Sequence, residues 1–416
     1  MFKSSPRETE WVSWLFFALW SLVIFVTIPI ARTLQGFVEQ HLGRQTFTYV
    51  VIAVVTLVAV GAILDRLRLS VSTGSSVWLA IIAMIFIGYT IRLSAAPAEA
   101  VHFLEYGVLG LLIYRALTHR VKDVSIYFMA LMIGAMVGML DEAIQWVTPK
   151  RFWGLNDIWL NFFAVGLTQV AIAKGFRPSI VSGRPGALNV QRLCLLTTVA
   201  VLLLAASLLN TPTRIAWYAQ RIPILEFLMT NESAMFEYGY FYGDPEIGSF
   251  TSRLSPQELS QNDEDFAEAS AAILNQYRSD SAYADFLEKY TPVSNPFVHE
   301  ARVHLFRRDR HIQRAEEEEV DEETYREYIA IVYRENLIME KYFTQTFSRS
   351  DYVLLPDKIA FFRENQAPDY PFTSRVSYDL ITEITERQLM VGLTLILFGL
   401  AIVYWHFGKK RGVQSV

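Results

Sequence analysis

The chain of 416 residues contains one cysteine, Cys194. A single thiol cannot close an intrachain disulfide, which excludes a small disulfide-stapled secreted domain. Charge is also scarce. Asp, Glu, Lys and Arg make up 19% of the residues, below the ~25% usual in soluble domains. The apolar share is 52%, too high for a disordered chain. Cations do not outnumber anions (37 Lys and Arg against 42 Asp and Glu), so the sequence offers no basic face for nucleic acid. No cofactor-binding motif is evident either.

The charges that are present are unevenly placed. Residues 211–387 hold 32 of the acidic and 18 of the basic groups, a net of −14. The rest of the chain holds 10 acidic and 19 basic groups, a net of +9. A basic, apolar portion is therefore joined to an acidic, water-compatible one. Three parts follow: residues 1–210 with seven apolar spans, an inserted domain over 211–387, and a last span with a basic tail over 388–416.

A spanning helix needs about 20 mostly apolar residues. Eight segments qualify: Trp11–Ala31, Phe47–Leu64, Ser76–Leu93, Ala98–Leu117, Ser125–Val147, Ile158–Ala173, Cys194–Leu209 and Leu389–Phe407. The first is longer than the apolar stretch of a signal peptide and reads as a retained helix. With the N terminus inside, the inner segments carry fourteen cations, Lys3 and Arg7 among them. The short outer loops carry five, including Lys150 and Arg151. The positive-inside rule then places both termini in the cytoplasm and residues 211–387 outside. The expected fold is an all-α polytopic membrane protein with a mostly helical extracytoplasmic domain inserted before the last span.

Within the insert, Ser255-Pro256-Gln257-Glu258 reads as a helix start with N-cap serine and N1 proline. Phe297–Ala315 and Glu322–Phe347 read as further helices, and Ser374–Gln388 as an amphipathic helix continuing into the last span. Three motifs admit a functional reading. His299 and His304 resemble a zinc-protease pair, but they are five positions apart, not four, so they fall on different sides of a helix. Arg302, Arg307, Arg308, Arg310 and Arg314 precede Glu316–Glu319. That run reads as a solvated face with internal ion pairs, or as a contact for an anionic headgroup, glycan or partner. The aromatic run Phe236–Tyr242 reads as interface or core, or as a sugar-stacking platform.

Ionisable groups inside spans are costly and mark function. His102 and Glu105 share a face near the outer start of the fourth span. Asp141, Glu142 and Gln145 lie at the outer end of the fifth. Arg151 follows in the loop, and Asp157 and Asn161 open the sixth. Three consecutive spans thus bring polar groups to one side, suited to acid–base chemistry or to holding a polar headgroup. Mutual ion pairing at helix ends is the structural alternative. A hard-ligand metal site from His102, Glu105, Asp141 and Asp157 is another. No nucleophilic Ser or Cys accompanies the group.

The string His102-Phe103-Leu104-Glu105-Tyr106, then Asp141-Glu142-Ala143-Ile144-Gln145, Pro149, Arg151, Asp157 and Asn161, resembles the VanZ-like family over about residues 11–175. That family takes its name from a membrane protein that lowers sensitivity to the glycopeptide teicoplanin. The resemblance implies an envelope protein of the bacterial cytoplasmic membrane, with a site for a lipid-linked or surface glycan. His102, Glu105, Asp141 and Glu142 would be its acid–base groups. Tyr106, Gln145, Arg151, Asp157 and Asn161 would contact substrate. Membrane lipid is an expected partner, and a protein partner can dock on residues 211–387. In the alternative reading the chain is a non-enzymatic assembly subunit and the inserted domain is its docking module.

Overall fold

A computed structural model describes residues 8–68, 73–95, 97–149, 151–231, 234–317, 320–367 and 369–414. Lys3, Arg7, Lys150, Glu318 and Glu319 lie outside these. The chain is an all-α polytopic membrane protein. Among the described residues, eight helices are long and apolar enough to cross a membrane. It divides into two units, residues 1–207 with 392–416, and residues 208–391.

The first unit is a helical bundle. Its helices are α1 (Glu10–Thr27), α2 (Ala31–Leu42), α3 (Thr46–Arg68), α4 (Thr73–Arg92), α5 (Pro97–Leu117), α6 (Ser125–Trp146), α7 (Leu155–Val170) and α8 (Ala187–Leu208). Helix α7 ends in a π-helical turn, Ala171–Phe176. The short α2 lies between the first two spans and is too polar to cross. Burial sorts the spans. About half of the α5, α6 and α7 spans is buried, against little of α3. Lipid solvates an all-apolar helix, so the helices carrying polar residues are the ones withdrawn into the bundle. Phe103, Tyr106, Leu109 and Ile113 run down α5 and are fully buried against Met129 and Ala130 of α6 and Ala164 and Val165 of α7.

Two glycines set how closely α6 and α7 approach. A Cβ on Gly134 would lie 2.7 Å from Val165 Cγ2, and one on Gly138 would lie 3.1 Å from Asn161 Cβ. Gly134 and Gly138 form a small-xxx-small pair, the pattern that lets membrane helices pack backbone to backbone.

The second unit contains α9 (Pro212–Ala219), then the antiparallel hairpin β1 (Tyr240–Asp244) and β2 (Gly248–Ser252). The helices α10 (Pro256–Asp265), α11 (Ala267–Gln276), α12 (Tyr283–Lys289), α13 (Pro296–Ala315), α14 (Glu322–Tyr342), α15 (Thr344–Ser348) and α16 (Pro356–Asn365) follow. The last helix, α17 (Glu386–Gln414), begins in this unit and returns to the bundle. Ser255 caps α10 with a full capping box: its side chain accepts from the Glu258 N–H while the Glu258 carboxylate accepts from the Ser255 N–H. The core gathers Leu305 of α13, Ile338 of α14 and Phe250 of β2.

Two expectations for this unit need correction. The helix expected over Glu322–Phe347 breaks at Phe343 into α14 and α15. Residues 374–385 are not helical, so no amphipathic helix runs into the last span. Ser377 there has φ +54°, and the Ser374 hydroxyl turns inward to the buried Glu335 carboxylate. The aromatic run divides: Tyr242 is core, stacked on Phe250, while Tyr240 and Phe241 are exposed.

The supposed zinc pair is also split. His304 Nδ1 pairs with Glu335 at 2.7 Å, and His299 Nδ1 donates to the Tyr290 carbonyl at 2.7 Å. Burial pushes the His299 imidazole from an ordinary 6.5 down to about 4, only partly offset by that hydrogen bond. The unfolded chain therefore binds a proton that the folded one refuses. Stability from His299 is complete above pH 6.5 and falls as pH drops toward about 4. Protection factors at the α13 amides of the full chain, corrected for the intrinsic exchange rate at each pH, should fall as pH drops across that window, and His299→Gln should flatten the response. An unchanged pH profile in the variant refutes the assignment.

Candidate functional site

The polar residues of α5, α6 and α7 meet at the end of the bundle where α6 turns into α7. The α6 apolar run ends in Asp141-Glu142, and both side chains are buried, at 0% and 1% exposure. Asp141 Oδ2 accepts the Tyr106 hydroxyl of α5 at 3.1 Å. Glu142 Oε1 accepts from Gln145 Nε2 at 2.8 Å, and its Oε2 accepts the Gly154 N–H at 2.8 Å. Gln145 Oε1 in turn accepts from Arg151 Nη2 at 2.8 Å. Glu142 and Gln145 thus clasp both ends of the loop and fix Arg151 over the end of α6.

Gly154 is the N-cap of α7, with extended backbone. Asp157, three residues on, folds back over it: a Cβ on Gly154 would meet Asp157 Oδ2 at 2.5 Å. A carboxylate in the first turn also suits the positive end of the helix dipole. Asn161 stands one turn deeper and is 2% exposed. His102 and Glu105 form a partly exposed ionic contact, Nδ1 to Oε2 at 3.3 Å. The Trp20 indole of α1 donates to the Glu105 carbonyl at 3.0 Å, tying α1 to this helix.

The nine expected site residues therefore fall into linked subsets. Tyr106 joins Asp141, while Glu142, Gln145 and Arg151 form a chain. His102 pairs with Glu105, and among the described residues no hydrogen bond joins that pair to Asp141. One Arg151 bond runs to Gln145, the residue between the expected carboxylate partners. Among the described residues no three His, Cys, Asp or Glu side chains group as metal ligands. The metal alternative built on His102, Glu105, Asp141 and Asp157 thus lacks a geometry.

Two acceptors remain open. Asp141 Oδ1 and Asn161 Oδ1 are buried, and neither has a hydrogen-bond partner among the described residues. Buried acceptors are nearly always satisfied, because an unmet one costs about 1–3 kcal/mol. The arrangement can therefore take hydrogen-bond donors, such as hydroxyl, amide or ammonium groups, beside a fixed guanidinium.

Sequence reasoning overlooked the residues that hold this geometry. Trp20 carries no motif. Thr168 and Gln169 of α7 donate to the carbonyls of Gly107 and Gly110, at 3.1 and 2.9 Å. The Gly134–Gly138 spacing was the available signal for the close α6–α7 approach that places Asn161. No family model, curated protein or solved structure matches the chain.

Proposed function

We propose that the chain is a VanZ-like envelope protein of the bacterial cytoplasmic membrane, and that its α5–α7 site binds the headgroup of a lipid-linked or surface glycan. The observation that carries this reading is the pair of orphaned acceptors, Asp141 Oδ1 and Asn161 Oδ1, beside the fixed Arg151. A saccharide headgroup supplies hydroxyl donors for the acceptors and a phosphate or carboxylate for the guanidinium. His102 and Glu105, at the more open edge, are placed to relay a proton if the bound group reacts. The Lys and Arg asymmetry of the loops supports cytoplasmic termini and an extracytoplasmic segment over residues 211–387.

Replacing Asp141 by Asn keeps the Tyr106 contact but exchanges an acceptor for a donor at the site. The purified variant is expected to retain co-purifying saccharide lipids about tenfold less well, read by mass spectrometry. Cells carrying it should regain glycopeptide sensitivity. Asn161→Leu should act in the same direction. If folded, membrane-inserted variants carry the same lipids and sensitivity as the parent, the reading is wrong.

A further inference from the structure

The arginine run of α13 divides by burial into two uses. Arg302 and Arg308 are 1% and 2% exposed and belong to the core. Arg308 Nη1 donates to Asn336 Oδ1 and to the Tyr352 carbonyl, at 2.9 and 3.0 Å. Arg302 lies over the Tyr283 ring at 4.7 Å. Arg307 and Arg314 instead line a cavity of about 730 Å³ bounded by α13, α14 and residues 370–379. Arg375 supplies a third guanidinium from the opposite wall. Among the described residues, Arg314 and Arg375 have no side-chain partner, and Arg307 engages Glu335 only through Nε, at 2.7 Å.

The rest of the lining is not that of a bare anion site. Tyr328, Tyr370 and Tyr378 present rings, and Tyr378 is 63% exposed. Glu327 and Asp379 add carboxylates. His311 Nδ1 donates to the Arg307 carbonyl at 2.7 Å, which leaves Nε2 as an acceptor. Carboxylates among arginines repel a polyanion such as nucleic acid but accept hydroxyls. Flat rings stack on the apolar faces of sugar rings. Guanidinium pairs bind phosphate or carboxylate.

The far wall is also fixed in advance. Glu335 Oε1 forms an ion pair with Arg307 Nε and accepts the Ser374 hydroxyl, and Glu300 Oε1 accepts the Ser377 hydroxyl at 3.1 Å. Ser374 N–H also donates to the Ser249 carbonyl at 2.9 Å. Two buried carboxylates therefore hold the segment bearing Arg375 and Tyr378 against the helices, so a ligand has little ordering left to impose.

We propose that this cavity is a second, separate site, and that it binds an anionic saccharide carrying phosphate or carboxylate. It stands on residues of the second unit and does not rest on the membrane site.

Calorimetry on the full chain in phosphatidylcholine nanodiscs tests it, with N-acetylglucosamine 6-phosphate, N-acetylglucosamine and inorganic phosphate as probes. The sugar phosphate is expected to bind about tenfold more tightly than either component alone. The double variant Arg314→Gln with Arg375→Gln, both exposed positions, should weaken it by about tenfold or more. Tyr378→Ala should weaken both sugars and leave phosphate unaffected. Adding phosphatidylinositol to the discs separates the sources: competition assigns a lipid headgroup, and its absence assigns a free saccharide. Equal affinity for phosphate and sugar phosphate overturns the proposal. So does tighter binding of phosphoserine, unchanged affinity in the double variant, or no saturable binding to the parent chain.

Discussion

Glu335→Ala is expected to destabilise residues 208–391 by about 3–5 kcal/mol, the usual cost of removing one partner from a buried ion pair. Glu335 sits on α14 with no exposure, and three groups converge on it. His304 Nδ1 lies 2.7 Å from Oε2, Arg307 Nε lies 2.7 Å from Oε1, and the Ser374 hydroxyl donates to Oε1 at 2.8 Å. His304 is itself fully buried, with its Nε2 unpartnered among the described residues. Deleting the carboxylate therefore strands an imidazole that has no other bond, and frees the segment after Phe372. Glu335→Gln keeps the shape and one acceptor, and should cost about 1–3 kcal/mol. Denaturant melts of the full chain, followed by hydrogen exchange in α13 and α14, measure both. If the alanine variant stays within about 1 kcal/mol of the parent, the carboxylate is not a hub of this unit.

Gly248→Ala should be comparably damaging, at about 3 kcal/mol or more, because two independent costs coincide. The residue closes the β1–β2 hairpin opposite Asp244, at φ +103°. An L side chain adopts that backbone only under strain. A Cβ there would also lie 2.4 Å from the Phe372 carbonyl oxygen. That oxygen accepts the Ser249 N–H at 3.1 Å, so backing away breaks the link between the hairpin and the 372–374 segment. Asparagine, which tolerates positive φ, separates the two costs. If Gly248→Asn is as harmful as alanine, the steric contact dominates; if it is mild, the dihedral does. Gly183 is the control, with φ +82° and no atom within 4 Å of where a Cβ would stand. Gly183→Asn should be nearly neutral in denaturant melts of the full chain, and near-neutrality of Gly248→Ala in the same melts would refute the prediction.

Much of the fold was legible from the sequence because membrane spans are long-range averages. Eight apolar runs need no knowledge of what packs on them, and each falls on one of the long helices, with ends that differ by up to seven residues. The polar residues of α5, α6 and α7 were legible for a related reason: ionisable groups in apolar runs are rare enough to stand out. Their pairing was not. Arg151 offered several acceptors within a few residues in sequence, and spacing alone did not point to its bond with Gln145. The 374–385 segment was misread because its apolar spacing fits a helix. The bonds that hold it out of a helix come from Ser249, Glu300 and Glu335, far away in the chain. The arginines of α13 likewise look alike in sequence; burial against Tyr352 and Tyr283 separates Arg302 and Arg308 from Arg307 and Arg314.

One further consequence concerns the two ends of the inserted unit. The Tyr238 hydroxyl donates to the Leu208 carbonyl where α8 ends, and Tyr238 also forms a bridge with Ile381. Arg214 of α9 pairs with Glu386, the first residue of α17. The chain thus leaves the insert close to where it entered. Unfolded, the insert would be a long loop between α8 and α17; folded, it acts as a connection of a few residues. Closure entropy scales with the logarithm of loop length, so that shortening favours the α8–α17 association by about 3 kcal/mol. Helix α17 is largely exposed along its span, and Gln191 Nε2 donates to its Tyr404 carbonyl at 3.2 Å. Its effective concentration beside α8 is consequently set by whether the insert is folded, a coupling that requires no contact between the insert and the bundle.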